Sequence, residues 1–418
     1  MIETVFSPAD VLLPDYAPDS PMWAKWSVIA CDQHTSEIEY WHEASALVGD
    51  APSTLNLMLP EAYLETEEAE AHKAKIRAAM LDPGVALRRF GDVLVYVERT
   101  LHGVGVRRGV VGRLDLEKYE YAPGTKSAIR PTEQTVVDRL PPRVKVREKA
   151  RYELPHTMVF ANAGGLITAY LCAHKDKMEK LYDFELMLGG GHLCGWLVDG
   201  VILEKLVEMI GEYENAVPAG AMAYAVGDGN HSLAAAKVHY EATKGIPGHE
   251  SARYTLCEIV DVTDPAIVFE PIYRRIKTLG DPEPFFAAFF NMLGECATEI
   301  TGSDAPDDKQ WVTTVNDGVE RTFVFNAPDH ALVVGTVQNL IDRFAAAYPE
   351  TKVDYIHGAD TVRRIGRKPG RIGFLYRGVA KEELFDYVEA NGVLPKKCFS
   401  MGDSLSKRYY TELRQIKN

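Results

Sequence analysis

The chain has 418 residues, of which 46% are hydrophobic and 25% charged, and its formal net charge is −14. This composition is typical of a soluble globular protein with a full core, and it excludes a disordered chain, a collagen-like chain and a disulfide scaffold. The acidic excess opposes sequence-independent binding to nucleic acid or to an anionic membrane.

The amino-terminal part of the chain combines a helix with strands. Residues 1–60 are rich in proline and aromatic residues and show little helical periodicity. Residues 62–81 begin with glutamates and end with basic side chains, which suits the helix dipole and predicts a helix. The β-branched apolar run at 91–98 predicts a buried strand, and a second strand is expected at 106–114.

The segment between residues 122 and 155 is rich in proline and in basic side chains, and it shows no evident secondary structure. Loops of this length tend to be functional. The middle of the chain then predicts an α/β arrangement. Strands are expected at 166–173, 193–198, 221–226 and 253–262, and helices at 201–213 and from 230 to about 243.

The carboxyl-terminal part predicts strands together with amphipathic helices. Helices are expected at 285–297, 337–348, 381–390 and 405–416, and a hairpin at 311–315 and 321–325. We therefore predict a mixed α/β (α+β) fold with a main domain over 1–280 and a smaller α+β part over 281–418.

The sequence carries no apolar run of transmembrane length and no secretory signal after Met1, so we expect a cytoplasmic protein. The six cysteines lie far apart, form no CxxC pair and give no zinc signature. We therefore expect buried thiols and no metal site. A P-loop, a GxSxG elbow, an HExxH motif and a well-spaced Rossmann fingerprint are all absent from the sequence.

The sharpest local motif is Gly227-Asp228-Gly229-Asn230-His231-Ser232, between a predicted strand and a predicted helix. Glycines let the backbone turn tightly and approach a ligand, and the N–H groups that open a helix suit a phosphate. Asp228 offers a carboxylate for a metal or a proton, and His231 offers a contact to a phosphoryl oxygen. The alternative is a well-capped turn whose polar groups only satisfy the backbone.

Arginines recur along the proline-rich loop, at Arg130, Arg139 and Arg143, with Glu133 and Thr135 among them. Guanidinium groups on a rigid loop suit a bidentate grip on phosphate, and Glu133 could act as an oriented base. The alternative is a set of surface salt bridges to the glutamate-rich helix.

Weaker polar segments supply candidate substrate contacts. The candidates are Asp32, Gln33, Thr35, His156, His192 and His357. A plain turn is the alternative for the first three, a glycine hinge for the segment before His192, and a structural role for the others.

Six stretches occur in order from residue 31 to about 360: CDQHTSEIEYW, IRPTEQTVVDRLPPRVKVREKARYELPH, YDFELMLGGGHLCGW, VGDGNHSLAAAK, EIVDVTDPAIVFEPIYRR and VDYIHGAD. Together they resemble the family called domain of unknown function 1015. The GDGNHS segment is similar in turn to the DGHHR-type motif of the superfamily that contains ParB, sulfiredoxin and free serine kinases. This resemblance implies a ParB/sulfiredoxin-like core with large terminal additions.

The same resemblance implies roles for individual residues. Asp228 matches the motif aspartate, His231 the phosphate-facing histidine, and Glu133 the upstream catalytic glutamate of the serine kinases. Ser232 stands where the motif has arginine, so Lys237, Arg130 or Arg139 would have to supply that phosphate contact. Sulfiredoxin chemistry needs a cysteine where this chain has Asn230, so the resemblance does not favour sulfiredoxin activity.

These observations favour an enzyme that transfers phosphate to or from a small hydroxylated metabolite such as serine, with ATP or ADP and hypothetically Mg²⁺. Glu133 would be the base, and the turn from Gly227 to Ser232 would bind phosphate. The alternative is a non-enzymatic nucleotide-binding regulator, and DNA binding is disfavoured by the net charge. We expect the protein to bind a small-molecule substrate and to bind neither nucleic acid nor membrane. A homodimer is compatible with the sequence.

Overall fold

The computed structural model describes residues 4–64, 66–301, 305–402 and 404–417. The chain divides into two compact units: the first runs to Val268 and resumes at Met401, and the second is Phe269–Ser400. The mixed α/β class is confirmed. The sequence placed a boundary near residue 280 and assigned the whole carboxyl-terminal part to one domain, whereas the compact units change at 268 and the final segment belongs with the first.

The elements of the first unit alternate strands and helices. Up to Val268 its strands are β1 (Phe6–Ser7), β2 (Ala9–Pro14), β3 (Val28–Ile29), β4 (Leu87–Leu101), β5 (Gly105–Asp115), β6 (Ile129–Pro131), β7 (Tyr152–Glu153), β8 (Thr157–Ala161), β9 (Lys180–Glu185), β10 (His192–Val198), β11 (Tyr224–Asp228) and β12 (Tyr254–Asp261). Its helices are α1 (Met22–Trp26), α2 (Ile38–Val48), α3 (Ala69–Leu81), α4 (Leu140–Lys149), α5 (Leu166–His174), α6 (Gly200–Ala216) and α7 (Asn230–Thr243).

The second unit and the returning segment complete the chain. The second unit contributes β13 (Phe269–Lys277), β14 (Ala297–Ile300), β15 (Trp311–Asn316), β16 (Val319–Phe325), β17 (Lys352–His357), β18 (Arg371–Leu375) and β19 (Phe399–Met401), with α8 (Pro282–Cys296), α9 (Val333–Ala347), α10 (Ala359–Gly366) and α11 (Leu384–Asn391). The returning segment adds β20 (Tyr409–Tyr410) and β21 (Arg414–Gln415).

The first unit is built on one large mixed sheet. Within the described residues its strands run in the order β6-β11-β8-β12-β5-β4-β10-β9, with β1 on β5 and β2 on β4. Strand β8 is buried along its whole length, as expected for the interior of a sheet covered on both faces. The returning segment pairs β20 with β3 and β21 with β7, so the end of the chain is part of this unit.

The second unit has its own sheet in the order β14-β16-β15-β18-β13-β17, with β19 on β13, as far as the described residues show. Aromatic side chains fill its core, where Phe289 on α8 meets Phe344 on α9 and Phe374 on β18 at ring-centroid distances of 5.1 and 5.4 Å. Among the residues that the structure describes, no helix is long and apolar enough to span a bilayer.

Two predicted elements are wrong. Residues 166–173 form the helix α5 rather than a strand, because a short apolar run has no period that separates the two, and Gly165 at a φ of 75° begins the helix. Residues 405–416 form a turn and two short strands rather than a helix, and nearly all of them are buried. The helices α2 and α4 lie in segments where the sequence predicted little regular structure.

Candidate functional site

Three neighbouring strands bring polar residues to one edge of the large sheet. Strands β6 and β11 are parallel, with Pro131 opposite Val226, so Glu133 and Asp228 each lie two residues beyond that pair. Strand β8 is antiparallel to β11 and places Met158 opposite Asp228. His156 stands just before the first residue of β8 and therefore lies at the same edge. The sheet pairing therefore joins residues that are far apart in the sequence.

The turn that follows β11 opens the helix α7. Gly229 occupies the N-cap position with a φ of 80°, a conformation that side chains with a Cβ rarely adopt. A Cβ at this position would lie 2.9 Å from Cδ2 of His156, so the turn packs closely against that ring. The first helical residue, Asn230, is 8% exposed, and its Oδ1 has no hydrogen-bond partner among the described residues.

The proline-rich segment after β6 lies along the turn. The Thr132 hydroxyl donates to the carbonyl of Val226 at 2.7 Å, and both groups are buried. The backbone N–H of Val136 donates to Nε2 of His231 at 3.2 Å. These two bonds hold the half-buried Glu133 on a segment that is fixed to the turn at both ends.

A histidine–carboxylate pair lies beside Gly229. Nε2 of His156 and Oδ2 of Asp32 are 3.1 Å apart, and Nδ1 of His156 is hydrogen-bonded to the Tyr410 hydroxyl. Burial by itself would lower the pKa of His156, but the charge of Asp32 holds that pKa well above its ordinary value. Burial likewise opposes ionisation of Asp32, but the charge and hydrogen bond of His156, the hydrogen bond from Gln33 and the charge of Lys407 together lower the pKa of the carboxyl. The pair is therefore an imidazolium and a carboxylate.

Two cations approach the turn from other elements. Nζ of Lys407, on the returning segment, lies 3.3 Å from Oδ1 of Asp228. Arg107, on β5, is 2% exposed, and one arm of its guanidinium donates to the carbonyl of Ser406 at 2.7 Å. Burial lowers the pKa of Arg107, whereas the charges of Glu258 and Asp228 act to raise it. Its Nε finds no acceptor within the part of the chain that the structure describes.

This edge combines the features of an anion site with those of a proton-transfer site. The opening of α7 supplies backbone N–H groups and the positive end of a helix dipole, which attract phosphate. Lys407 adds a cation, and Oδ1 of Asn230 adds a buried acceptor that has no partner among the described residues. The carboxylates of Glu133 and Asp228 provide oxygens for a proton or a cation.

The sequence matches the family model described as "Protein of unknown function (DUF1015)" over residues 12–344. The chain belongs to this family. The match includes every polar residue named at the sheet edge except Lys407 and Tyr410, which lie after residue 344 in this DUF1015 member. No curated protein sequence matches the chain.

Solved structures resemble this DUF1015 member only distantly. Free serine kinase in complex with AMP is 13% identical, and the match covers 72% of this chain and 92% of that one with a TM-score of 0.37. A conserved hypothetical protein from Pyrococcus furiosus is 13% identical over 72% and 96%, with a TM-score of 0.33. SbnI with a C-terminal truncation, from Staphylococcus aureus, is 11% identical over 68% and 83%, with a TM-score of 0.35. At these scores the similarity carries no functional inference.

The basic residues predicted to bind phosphate have other contacts in this DUF1015 member. Arg130 donates to the carbonyls of Ser127 and Gly220, at 2.9 and 2.5 Å. Nζ of Lys237 lies 3.0 Å from the carbonyl oxygen of Leu116 and 2.8 Å from Glu241.

The remaining members of the predicted phosphate set lie on or near the turn and the loop. Arg143 pairs with Glu61 and donates to the carbonyl of Arg139. Arg139 itself is exposed. Thr135 is buried, whereas Gly227 and Ser232 are half-buried within the turn. A Cβ on Gly227 would lie 2.4 Å from the ring of Phe160, so this glycine is required for packing.

The predicted substrate residues are distributed over several places. Gln33 donates to Oδ1 of Asp32 at 2.8 Å, and Thr35 is exposed on the same segment. His192 lies on β10, where its contacts are to Asp183 and Cys194. His357 is an exposed residue of β17 in the second unit.

The sequence analysis missed Lys407, Tyr410 and Arg107. The first two lie in the segment that was predicted to be a helix, and Arg107 lies inside a strand prediction without a motif around it. A signal was present in residues 407–414, where basic, aromatic and acidic side chains follow one another without the apolar stripe of an amphipathic helix.

Proposed function

We propose that the first unit of this protein transfers a phosphoryl group between a nucleotide and a small hydroxylated metabolite such as serine. The observation that carries the proposal is the unpartnered, buried Oδ1 of Asn230 at the opening of α7, beside two carboxylates and Lys407. Buried polar atoms without a partner are uncommon in folded proteins, and this amide oxygen is an acceptor that a hydroxyl or amino group of the nucleotide or the metabolite can satisfy.

The residues present fit a phosphate-bearing nucleotide. Gly229 brings no side chain of its own to the opening of α7, and His156 packs closely where a Cβ would stand. The N–H groups that open a helix suit a phosphate. Lys407 supplies a cation that Asp228 holds only loosely, since the distance between Nζ of Lys407 and Oδ1 of Asp228 is 3.3 Å. We assign to Lys407 the phosphate contact that the sequence analysis sought in Lys237 or Arg130.

The chemistry required of the protein is mainly positioning and charge stabilisation. Glu133 takes the proton from the acceptor hydroxyl as its oxygen bonds to phosphorus and the bond from phosphorus to the leaving oxygen breaks. The N–H groups of the turn and Lys407 stabilise the charge on the transferred group. Asp228 offers a carboxylate to Mg²⁺, which when bound neutralises phosphoryl oxygens.

The pair of Asp32 and His156 has a separate part in this scheme. Its imidazolium and carboxylate carry opposite charges side by side, next to Gly229. Such a pair can orient the amino and carboxylate groups of a serine-like acceptor. We assign it to acceptor binding rather than to proton transfer, because the raised pKa of His156 keeps its proton in place at neutral pH.

Phosphorus NMR of the full chain with Mg²⁺ tests the proposal. Serine is supplied with ATP or ADP, and phosphoserine with ADP or AMP. We expect a phosphoserine resonance to appear or to disappear, and we expect Glu133→Gln and Asp228→Asn to abolish the change. Glu241→Gln, an exposed carboxylate on α7, is the matched control and should keep full turnover.

Two outcomes contradict the proposal. Nucleotide resonances that broaden without any turnover would indicate the non-enzymatic nucleotide-binding regulator instead. Spectra without broadening or turnover would exclude both functions. Full turnover in the Glu133→Gln and Asp228→Asn variants would remove the assignment of those residues.

A further inference from the structure

Three metal-ligating side chains meet on the adjacent strands β9 and β10, away from the residues used above. Cys194 lies directly opposite Asp183 in the antiparallel pair. His192 lies two residues before Cys194, so both side chains project from the same face of β10. Cross-strand neighbours of this kind approach one another closely, and here they bring a thiol, an imidazole and a carboxylate together.

The contacts of these groups form a triangle. Oδ1 of Asp183 lies 3.0 Å from Nε2 of His192 and 3.3 Å from Sγ of Cys194. Sγ of Cys194 lies 3.6 Å from Nδ1 of His192. An ion with bonds of about 2.0–2.3 Å in a tetrahedral arrangement holds its ligand atoms roughly 3.3–3.8 Å apart. The two contacts of His192 run through different ring nitrogens, of which one can bind an ion. One ligand atom from each of the three residues lies within 4.8 Å of the other two, so a small shift of these side chains brings the set to the spacing of such an ion.

The triangle differs from the linear arrangement of a cysteine–histidine–aspartate nucleophile. In such a relay the carboxylate lies on the far side of the imidazole from the sulfur. Here the sulfur and the carboxylate also face different nitrogens of the imidazole, but the carboxylate oxygen that contacts the imidazole contacts the sulfur as well, which a relay does not show. Burial and the neighbouring Asp183 raise the pKa of Cys194 to about 12, so the thiol keeps its proton and is a poor nucleophile.

We propose that Asp183, His192 and Cys194 bind a divalent zinc-type cation through one sulfur, one nitrogen and one oxygen atom. Thiolate and imidazole ligands select zinc among the common divalent cations of cells, whereas magnesium and calcium prefer oxygen. Binding replaces the thiol proton, which is released to solvent. Within the described chain, no second group of three or more such side chains lies as close together.

The surroundings of the triangle suit three protein ligands and one open position. The side chains of His192 and Asp183 are 32% and 30% exposed, so water can reach a bound ion. Nζ of Lys180 lies 2.5 Å from Oδ2 of Asp183 and leaves Oδ1 to face the other two groups. Hydrogen bonding to a ligating carboxylate is a common feature of metal sites, since it fixes the ligand's orientation. No metal site was predicted from the sequence, because the six cysteines lie far apart and form no CxxC pair.

Cobalt substitution tests this site without reference to any activity. The full-length protein, stripped of metal with a chelator, is titrated with Co²⁺ while the visible and near-ultraviolet absorption is recorded. We expect a sulfur-to-cobalt charge-transfer band with tetrahedral d–d bands, and we expect Zn²⁺ to displace both. Cys194→Ser should lose the charge-transfer band. Cys172→Ser, at an exposed cysteine on α5, is the matched control and should keep it.

Folding of the variants is checked separately. Circular dichroism of the metal-free Cys194→Ser protein should match the parent protein, and Asp183→Asn provides a second variant with the same shape and a weaker affinity for Co²⁺. The proposal is overturned if the full-length protein shows no sulfur-to-cobalt band, or if that band survives in Cys194→Ser. Neither result bears on the proposed phosphotransfer, which uses other residues.

Discussion

Lys407 and Arg408 are neighbours in the returning segment, yet they lie in two regions with opposite properties. Arg408 is 3% exposed and is fully used: it donates to the carbonyl of Pro155 at 3.1 Å and pairs with both Glu258 and Glu412. Among the described residues, Nζ of Lys407 has one polar contact, of 3.3 Å to Asp228, and Oδ1 of Asn230 on the same turn has none. The first region is therefore satisfied by the protein alone, and the second has bonding capacity left for a ligand.

This difference separates buried charges that hold the fold from those that are available for chemistry. A buried ion pair with all its hydrogen bonds made cannot change partners without exposing an unpaired charge. A turn with an unsatisfied acceptor and a loosely held lysine can change partners at little energetic cost. Substitutions in the two regions should consequently differ in their effect on stability.

The largest effect is expected for Arg408→Met. This change leaves Glu258 and Glu412 buried without their guanidinium partner, and we expect a loss of about 3–5 kcal/mol in the free energy of unfolding. Urea denaturation followed by circular dichroism measures it. Arg408→Lys, which keeps a charge but only one donor group, should lose less.

Lys205→Met is the control for that prediction. Lys205 forms an exposed pair with Glu208 on α6, in the same unit, and its removal should leave the free energy of unfolding essentially unchanged. A loss of under about 1 kcal/mol for Arg408→Met would show that the buried network stabilises the fold no more than a surface ion pair does. The proposed difference between the two regions would then be wrong.

A smaller and pH-dependent effect is expected for the pair of Asp32 and His156, which lies between the two regions. Charged hydrogen bonds of this kind contribute about 1.5–3 kcal/mol. The contribution is fully present between the ordinary pKa values of 3.8 and 6.5 for the two groups in the unfolded chain. Above 6.5 the unfolded chain loses the histidine proton while the folded protein keeps it, so the contribution declines as pH rises.

A double-mutant cycle measures this contribution directly. The variants are Asp32→Asn, His156→Gln and the combination of both, unfolded in urea at about pH 5.5 and about pH 8.5. We expect a larger coupling energy at the lower pH. Equal coupling at the two pH values would show that the pair is not an imidazolium and a carboxylate.

The smallest effect is expected for Asn230→Ala in the absence of ligand. The change removes an acceptor that has no partner among the described residues, and the relief of its desolvation offsets the lost packing. We expect the free energy of unfolding to change by less than about 1 kcal/mol in either direction.

Thr132→Val provides the matched control at the same sheet edge. Its hydroxyl is buried as well but donates to the carbonyl of Val226 at 2.7 Å, so its removal should destabilise the protein by about 1 kcal/mol or more. A large loss for Asn230→Ala, equal to or above that for Thr132→Val, would mean that Asn230 holds the fold rather than a ligand.

Local features of the site could be predicted from the sequence, whereas its long-range pairings could not. The strand, the turn and the helix around Gly229 follow from glycine spacing and apolar periodicity, and the structure confirms all three. The neighbourhood of Glu133 and Asp228 depends on a parallel pairing between strands almost a hundred residues apart. The arginines around Glu133 indicated a candidate base and the resemblance matched it to a catalytic glutamate, but no local pattern encodes its position beside Asp228.

The error over residues 405–416 has a physical cause. Charged residues such as Arg408, Glu412 and Arg414 are normally read as a solvent-exposed face, and their spacing is compatible with a helix. In this protein each is buried against an opposite charge: Arg408 pairs with Glu258 and Glu412, and Arg414 pairs with Glu153. Burial of paired charges depends on partners that are distant in sequence and leaves no periodic signal.

The return of the chain to the first unit also constrains the order in which that unit is completed. The N–H of Gly402 donates to the carbonyl of Val268 at 3.2 Å, so the polypeptide re-enters beside the point where it left, and Phe269–Ser400 is topologically an insertion. During synthesis, β20 and β21 can pair with β3 and β7 only after the whole insertion has emerged from the ribosome. A nascent chain therefore lacks Lys407 and Tyr410 until the whole insertion has been synthesised, and only then does the sheet edge acquire the charge of Lys407.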